Sequence, residues 1–398
     1  MELAVAAPTS RLERLPTELI RAILSESDCL KTLHRAILTC RFLWHSFSGN
    51  SSGITARVIL NDLDSHNLRP EALAVLQASS IREPTLSSVR EFCAGQLSKR
   101  RADSGVSWTL AEIASLAKLH STISRMASDF ASSYIKKLST SMHHRNTSKF
   151  LKPSASERSR IMRALYTLEI FQILFCHTWV FDPRDVAKCM NEFLLNFSPW
   201  EIEQIACVHD FLMIQISPAF YAKTDTNFWE DPDLVRSDLG VNAALSQGLV
   251  TFESVAKSNT FNGQYYLKYG GGYRSSYPRA FYHALRDIDL DEIGYLGYHA
   301  YNYVSVYRGP RYYARRVKPP FFDDPDGGPF RVWRQLYKSK ALRFSVYQMD
   351  EILWERAYVM WDRERLEALG MIKHRSQQPP TACSSLSKSL PRETDNKT

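Results

Sequence analysis

No run of residues in this chain approaches the roughly 18 consecutive apolar positions that a membrane span needs, so no transmembrane segment is expected. The N-terminal stretch MELAVAAPTSRLERL lacks a basic n-region and an apolar h-region of sufficient length, which argues against a secretory signal. Cysteine is sparse. The seven residues, at 29, 40, 93, 176, 189, 207 and 383, form no CxxC pair and no even framework, so reduced thiols and an intracellular location, cytoplasm or nucleus, are expected. Seeds of catalysis are also missing: there is no GxSxG, no HExxH, no GxxxxGK[ST], no GxGxxG and no paired-carboxylate pattern beyond chance. The chain is therefore expected not to be an enzyme, and to use neither cofactor nor metal. No repeat of 20 to 50 residues recurs, which excludes leucine-rich, WD-propeller and kelch arrays.

What is present is enough apolar material to fold. Of 398 residues 44% are hydrophobic and 12% aromatic, far from the composition of disordered chains, and the length suits two or three domains. The net charge of +8 argues little for an anionic partner, because Lys and Arg are scattered among 42 acidic residues.

Helical spacing dominates the chain. Pro16 stands at a helix start, and Leu19, Ile20, Ile23 and Leu24 follow as an apolar stripe. Asp28 is a candidate N-cap for a second helix with Leu30, Leu33, Ala36 and Ile37. A third carries Cys40, Phe42, Leu43, Trp44 and Phe47 before Gly49 and Asn50 stop it. A short strand is expected at Ala56 to Leu60, then helices from Pro70, over Val89 to Leu97 and over Thr109 to Leu138. The polar run at 141–159 reads as a mobile loop. Beyond it, Glu157 to Phe175 places Ile161, Leu165, Leu168, Phe171 and Leu174 on one side. Ser198, Pro199 and Glu201 supply N-cap, N1 and N3 of a further helix, with Phe197 and Ile202 as a hydrophobic staple and Pro218 as its end. The last helix is expected over Leu342 to Leu369 with Gly370 as its C-terminal stop. The predicted fold class is mainly α: a three-helix N-terminal module at 8–50, an irregular all-helical body at 51–370 with little or no strand, and a disordered tail at 371–398.

The first three helices, of about 8 to 10 residues each, are too short to persist alone and must be held by packing. A unit of that size lies near the roughly 40-residue limit for unaided folding, so surplus apolar surface is expected to dock on a second polypeptide. The pattern Leu15-Pro16-x-Glu18-Leu19-Ile20-x-x-Ile23-Leu24, then Leu30 and Leu33, then Leu38-Thr39-Cys40-Arg41-Phe42-Leu43-Trp44, resembles the F-box, the three-helix module that binds the Skp adaptor of cullin-RING ubiquitin ligases. That resemblance implies a substrate receptor linking a target protein to the ligase, with Leu15, Pro16, Leu19, Ile20, Ile23, Leu30, Leu33, Cys40 and Arg41 at the adaptor interface. Segments 68–80, 193–212 and 354–370 resemble filamentous-fungal F-box proteins with a helical C-terminal region, which implies a fold and no substrate. The alternatives are an adaptor-independent helical interaction protein and, third, a basic nucleic-acid binder.

Other candidate chemistry favours plainer readings. His143-His144 lacks a second ligand pair nearby. Cys176-His177 with Cys207-x-His209 has zinc-type donors, yet both cysteines sit among large hydrophobes, as core residues do. Gly270-Gly271-Gly272 reads as a turn, and Asp323, Asp324 and Asp326 as a solvated loop without the downstream Glu of a calcium site. Thirteen of 19 tyrosines fall between 265 and 313, interleaved with arginines. Tyr and Arg serve both protein hot spots and single-stranded nucleic-acid platforms, and Arg308, Tyr312 and Tyr313 are expected to contribute to target binding.

Overall fold

The structure, a computed structural model, describes residues 10–81, 85–97, 109–141, 150–176, 189–190, 192–194, 196–221, 239–257, 281, 324, 326–338 and 356–372. Among these every regular element is helical and no strand occurs, so the chain is mainly α.

A 3-10 turn, Leu12–Arg14, leads into α1 (Thr17–Ser25), α2 (Leu30–Ile37) and α3 (Arg41–Ser48). Pro16 takes the N-cap position, and Cys29, not Asp28, precedes α2. None of the three helices has a side-chain cap, so they rest on packing. Their core of Ile20, Leu24, Leu33, Ile37 and Leu43 is completed by Ile54 and Val58 from α4 (Ser51–Ser65). The strand expected at Ala56 to Leu60 is thus corrected to the middle of a helix. Ile54 and Val58, and then Ile59 and Leu63, stand four apart, and these two helical stripes override the β-branched content. α4 thus lends part of its length to the core of the first unit.

The body comprises α5 (Arg69–Ser80), α6 (Leu86–Phe92) with a π turn at Cys93–Leu97, α7 (Leu110–Ser141), α8 (Ala155–Phe175), α9 (Pro199–Tyr221), α10 (Leu239–Leu245), α11 (Leu249–Ala256), α12 (Gly328–Lys338), a 3-10 turn at Tyr358–Met360 and α13 (Arg363–Ala368). α8 packs against α5, α7 and α9 and forms the axis of the main core. Its expected stripe is buried, but so are Met162, Ala164, Tyr166, Ile170 and Phe175, so α8 is enclosed on all sides and not on one. Phe171 sits at the centre of an aromatic set, with ring centroids 4.7 Å from Phe175, 5.8 Å from Phe193 and 4.9 Å from Phe281.

Burying the start of α8 also buries the charges of Glu157 and Arg160, and each of these two is paired. Glu157 closes a capping box with Ser154, accepts from the Asp362 N–H at 3.0 Å, and takes a bidentate pair from Arg365 at 2.8 Å on each arm. Arg160 donates to Asp324 at 2.6 and 2.8 Å, to Asp362 at 2.7 Å and to the Met360 carbonyl at 3.0 Å. Two expectations are corrected here. The polar stretch 150–159 is clasped to the C-terminal segment, since Arg365 also holds the Phe150 and Lys152 carbonyls. Asp324 and Asp326 do not form a solvated loop: Asp324 binds Arg160, and Asp326 accepts from the Gly328 and Arg363 N–H groups at 2.7 and 2.9 Å.

Helix ends follow the sequence signals except where solvent or packing intervenes. Glu201 accepts from the Ser198 N–H at 2.7 Å, half of the expected capping box, while Ser198 Oγ makes no hydrogen bond; the staple residues Phe197 and Ile202 are buried. α9 continues to Tyr221, past Pro218. Proline removes the donor for the carbonyl of Ile214, a residue on the exposed side of the helix. The single helix expected over Leu342 to Leu369 is interrupted within the described part. Ala357 adopts a left-handed φ of 47°, Trp361 is extended and fully buried with Nε1 bonded to the Arg356 carbonyl at 2.7 Å, and only Arg363–Ala368 is α-helical. Residues 342–355 lie outside the described residues. Gly370 does stop α13: its φ is 70°, its N–H bonds the Glu367 carbonyl at 3.0 Å and the Met371 N–H bonds Leu366 at 2.9 Å, a Schellman motif with both side chains buried. Met371 therefore belongs to the body and not to the tail.

Candidate protein-docking surface

The first fifty residues place apolar side chains both in the small core and on the surface of the same short helices. On α1, Ile20 and Leu24 point into the small core, while the adjacent Leu19 and Ile23 are each 52% exposed. Successive helical residues are about 100° apart, so Leu-Ile and Ile-Leu doublets necessarily generate a second apolar stripe. After α2, Leu38 is 65% exposed, and on α3 Trp44 is 48% exposed with its ring 6.1 Å from that of Phe47. Leu12 in the 3-10 turn is exposed as well. These five, out of eight exposed large apolar side chains among the described residues, lie between positions 12 and 44; the other three, Leu151, Ile214 and Phe330, are dispersed over the body. Covering the open half of Leu19, Ile23 and Trp44 would gain roughly 1 kcal/mol each.

The scaffold beneath is firmly attached. Arg21 of α1 donates to the Ser46 carbonyl at the end of α3 at 3.1 Å, and Asn61 of α4 donates to the Ser25 carbonyl at the end of α1 at 2.9 Å. α4 enters both cores, with Ile54 and Val58 in the small one and Ile59 and Leu63 in the large one, and Leu30 packs against both.

Of the nine residues expected at a partner interface, Leu19, Ile23, Pro16 and Arg41 are exposed, and Leu15, Leu30 and Cys40 are half-buried. Ile20 and Leu33 are enclosed by the unit itself, so they support the surface from within rather than contribute to it. Leu12 and Leu38, which are not among the nine, also stand on the surface, as does Trp44, the third-helix residue of the motif.

Charge adds a second signal that was legible in the sequence and overlooked. Residues 29–61 contain no Asp or Glu, yet include Lys31, Arg35, Arg41 and Arg57. Lys31, Arg35 and Arg41 are exposed, as are His34 and His45; Arg57 pairs with Glu26 at 3.8 Å across solvent. The exposed Leu38 and Trp44 thus sit in a stretch whose only charges are positive, which suits a partner with an acidic rim.

No family model, curated protein or solved structure matches this chain.

The other candidate residues divide between the core and the undescribed segments. Cys176 and Cys207 are buried in the main core, and burial, with the nearby Glu169 carboxylate, pushes the Cys176 thiol up to about 12, far from the thiolate a metal requires. His209 is buried with its ring 4.9 Å from Phe281. Among the described residues no group of three or more His, Cys, Asp or Glu is placed to hold a metal ion, and no helix is long and apolar enough to cross a membrane. His143, His144, His177, the Gly270 to Gly272 turn and the proposed target-binding residues Arg308, Tyr312 and Tyr313 lie outside the described residues.

Proposed function

We propose that the N-terminal helices form an F-box-like docking module and that the chain is a substrate receptor joining a target protein to a Skp-cullin-RING ubiquitin ligase. The observation that carries this reading is the gathering of Leu12, Leu19, Ile23, Leu38 and Trp44 on one small, well-anchored unit. Exposed apolar side chains concentrated on one small folded unit support an interaction role. The Leu-Pro start, the first-helix stripe and the Cys-Arg third helix supply the resemblance to the adaptor-binding family. In this role the chain makes and breaks no bond. It holds the ligase by one end and the target by the body, raising their effective concentration, with Arg308, Tyr312 and Tyr313 assigned to target capture. The same face would serve an adaptor-independent interaction protein, so the test must use the adaptor itself.

Purified Skp adaptor is titrated with the full chain and with the double variant Leu19→Glu plus Ile23→Glu, using Leu151→Glu as a control in the body. The reading predicts binding by the parent and the control, and a loss of at least about 100-fold in the double variant, given that two desolvated apolar contacts become charged. Equal binding by the double variant, or no binding by the parent, would contradict it.

A further inference from the structure

At the seam where α4 leaves the N-terminal unit and meets the body, two imidazoles face one carboxylate. Asp62 of α4 lies with Oδ2 3.1 Å from His120 Nε2 on α7, and with Oδ1 3.8 Å from Nε2 of His66, the C-cap residue of α4. The shorter contact is out of line with the ring N–H and is electrostatic, not a formed hydrogen bond. On its other side His120 Nδ1 is 2.8 Å from Tyr166 Oη on α8, and Ser159 Oγ of α8 donates to the His66 carbonyl at 3.0 Å. The remaining charged neighbours are Arg158 of α8 beside His66, and Glu71 of α5, which acts on Tyr166 and lies 3.4 Å from Arg163 of α8. His120 is buried, and the Asp62 and His66 side chains are less than one-fifth exposed, at 19% and 17%.

The Tyr166 hydroxyl can donate to His120 Nδ1, and the Asp62 carboxylate lies between the two rings. His66 is the weak point. Its Nδ1 is enclosed with no hydrogen-bond partner. A bare lone pair is tolerable there, but protonation converts that atom into a buried donor with no acceptor, which costs its full desolvation. It also adds a positive charge next to Arg158 and His120. Burial first, opposed by Asp62 and reinforced by Arg158 and His120, accordingly holds His66 below the ordinary histidine range. A histidine whose folded value is depressed contributes stability that is present above its unfolded value and lost as pH falls.

We infer that this cluster is a pH-sensitive latch: when His66 takes up a proton, the C-terminal end of α4 is released from α7 and α8, and the N-terminal unit loosens its hold on the body. The consequence is independent of which partner the docking surface takes, because α4 is the helix shared by the two cores.

Amide hydrogen exchange on the full chain at about pH 7.5 and about pH 5.5, corrected for the intrinsic rate, reads the latch directly. Protection from Ile59 to Ala72 is expected to fall by up to about tenfold at the lower pH, the ceiling for one histidine, while the interior of α8 holds, and His66→Gln is expected to abolish that difference. An unchanged pH-dependent loss in His66→Gln, or no loss in the parent, would overturn the latch. Should His66→Gln fail to fold, a proton NMR titration of the parent decides: a His66 midpoint below those of exposed His34 and His45 supports the inference, and a midpoint equal or higher overturns it.

Discussion

The α8-centred body and the N-terminal unit dispose of similar side chains in opposite ways. Within α8 even Arg160 and Glu157 are enclosed, each with several partners, and the apolar residues on every side are covered. In the N-terminal unit Leu19, Ile23, Leu38 and Trp44 stay on the surface, on helices that have no side-chain caps and only a small core. A chain able to bury an arginine has no difficulty burying a leucine. The open apolar side chains are what the proposed docking role rests on, while the body covers its own.

Substitutions should separate the two regions sharply. Phe171→Ala removes a ring with three aromatic neighbours from the centre of the body. It should cost about 3 to 5 kcal/mol in urea denaturation, and a loss below about 1 would show that the body is loosely packed.

A smaller effect of opposite sign is expected at Glu169. Its carboxylate accepts from the Leu249 N–H at 2.7 Å at the start of α11, and burial, against that hydrogen bond, raises its pKa to about 6. Because the folded value lies above the unfolded one, the acid is accommodated without penalty at low pH, and the penalty grows as pH rises from about 4.5 to 6 and then stays constant. Glu169→Gln keeps an acceptor for Leu249 and should stabilise the chain by on the order of 2 kcal/mol at pH 7 and by almost nothing at pH 4. Thermal melts at both values check this, and equal stabilisation at the two would refute the burial account.

The smallest effect belongs to the docking surface. Leu19→Gln and Ile23→Gln should each change stability by less than about 0.5 kcal/mol, as surface substitutions do. A cost of about 2 kcal/mol for either, in the same urea experiment, would mean that these residues are part of the fold and would erase the contrast between the regions.

Much of the fold was legible because helix ends carry local chemistry. Pro70, the Ser198-Pro199-x-Glu201 start and the Gly370 stop act within a few residues of themselves. α4 was missed because Ile54, Thr55, Val58 and Ile59 suit a strand as well as a helix, and only the two cores on either side decide between them. The clasp was invisible for a different reason. Arg160 meets Asp324 and Asp362 across 164 and 202 residues, and no local pattern announces a partner so distant. At the candidate site the sequence supplied the apolar doublets of α1 but not their orientation. Leu19 and Ile20 are equally apolar, and which one faces inward is set by α4, a helix outside the motif. The missing carboxylates of 29–61 need no structure to be read: the charges are interleaved over the chain as a whole but not in this stretch.

The most direct measurement is hydrogen exchange of the full chain with and without saturating Skp adaptor. New protection concentrated between Leu12 and Trp44, with the body unchanged, is the predicted result. Protection confined to the body, or none anywhere, would contradict the assignment of the N-terminal surface.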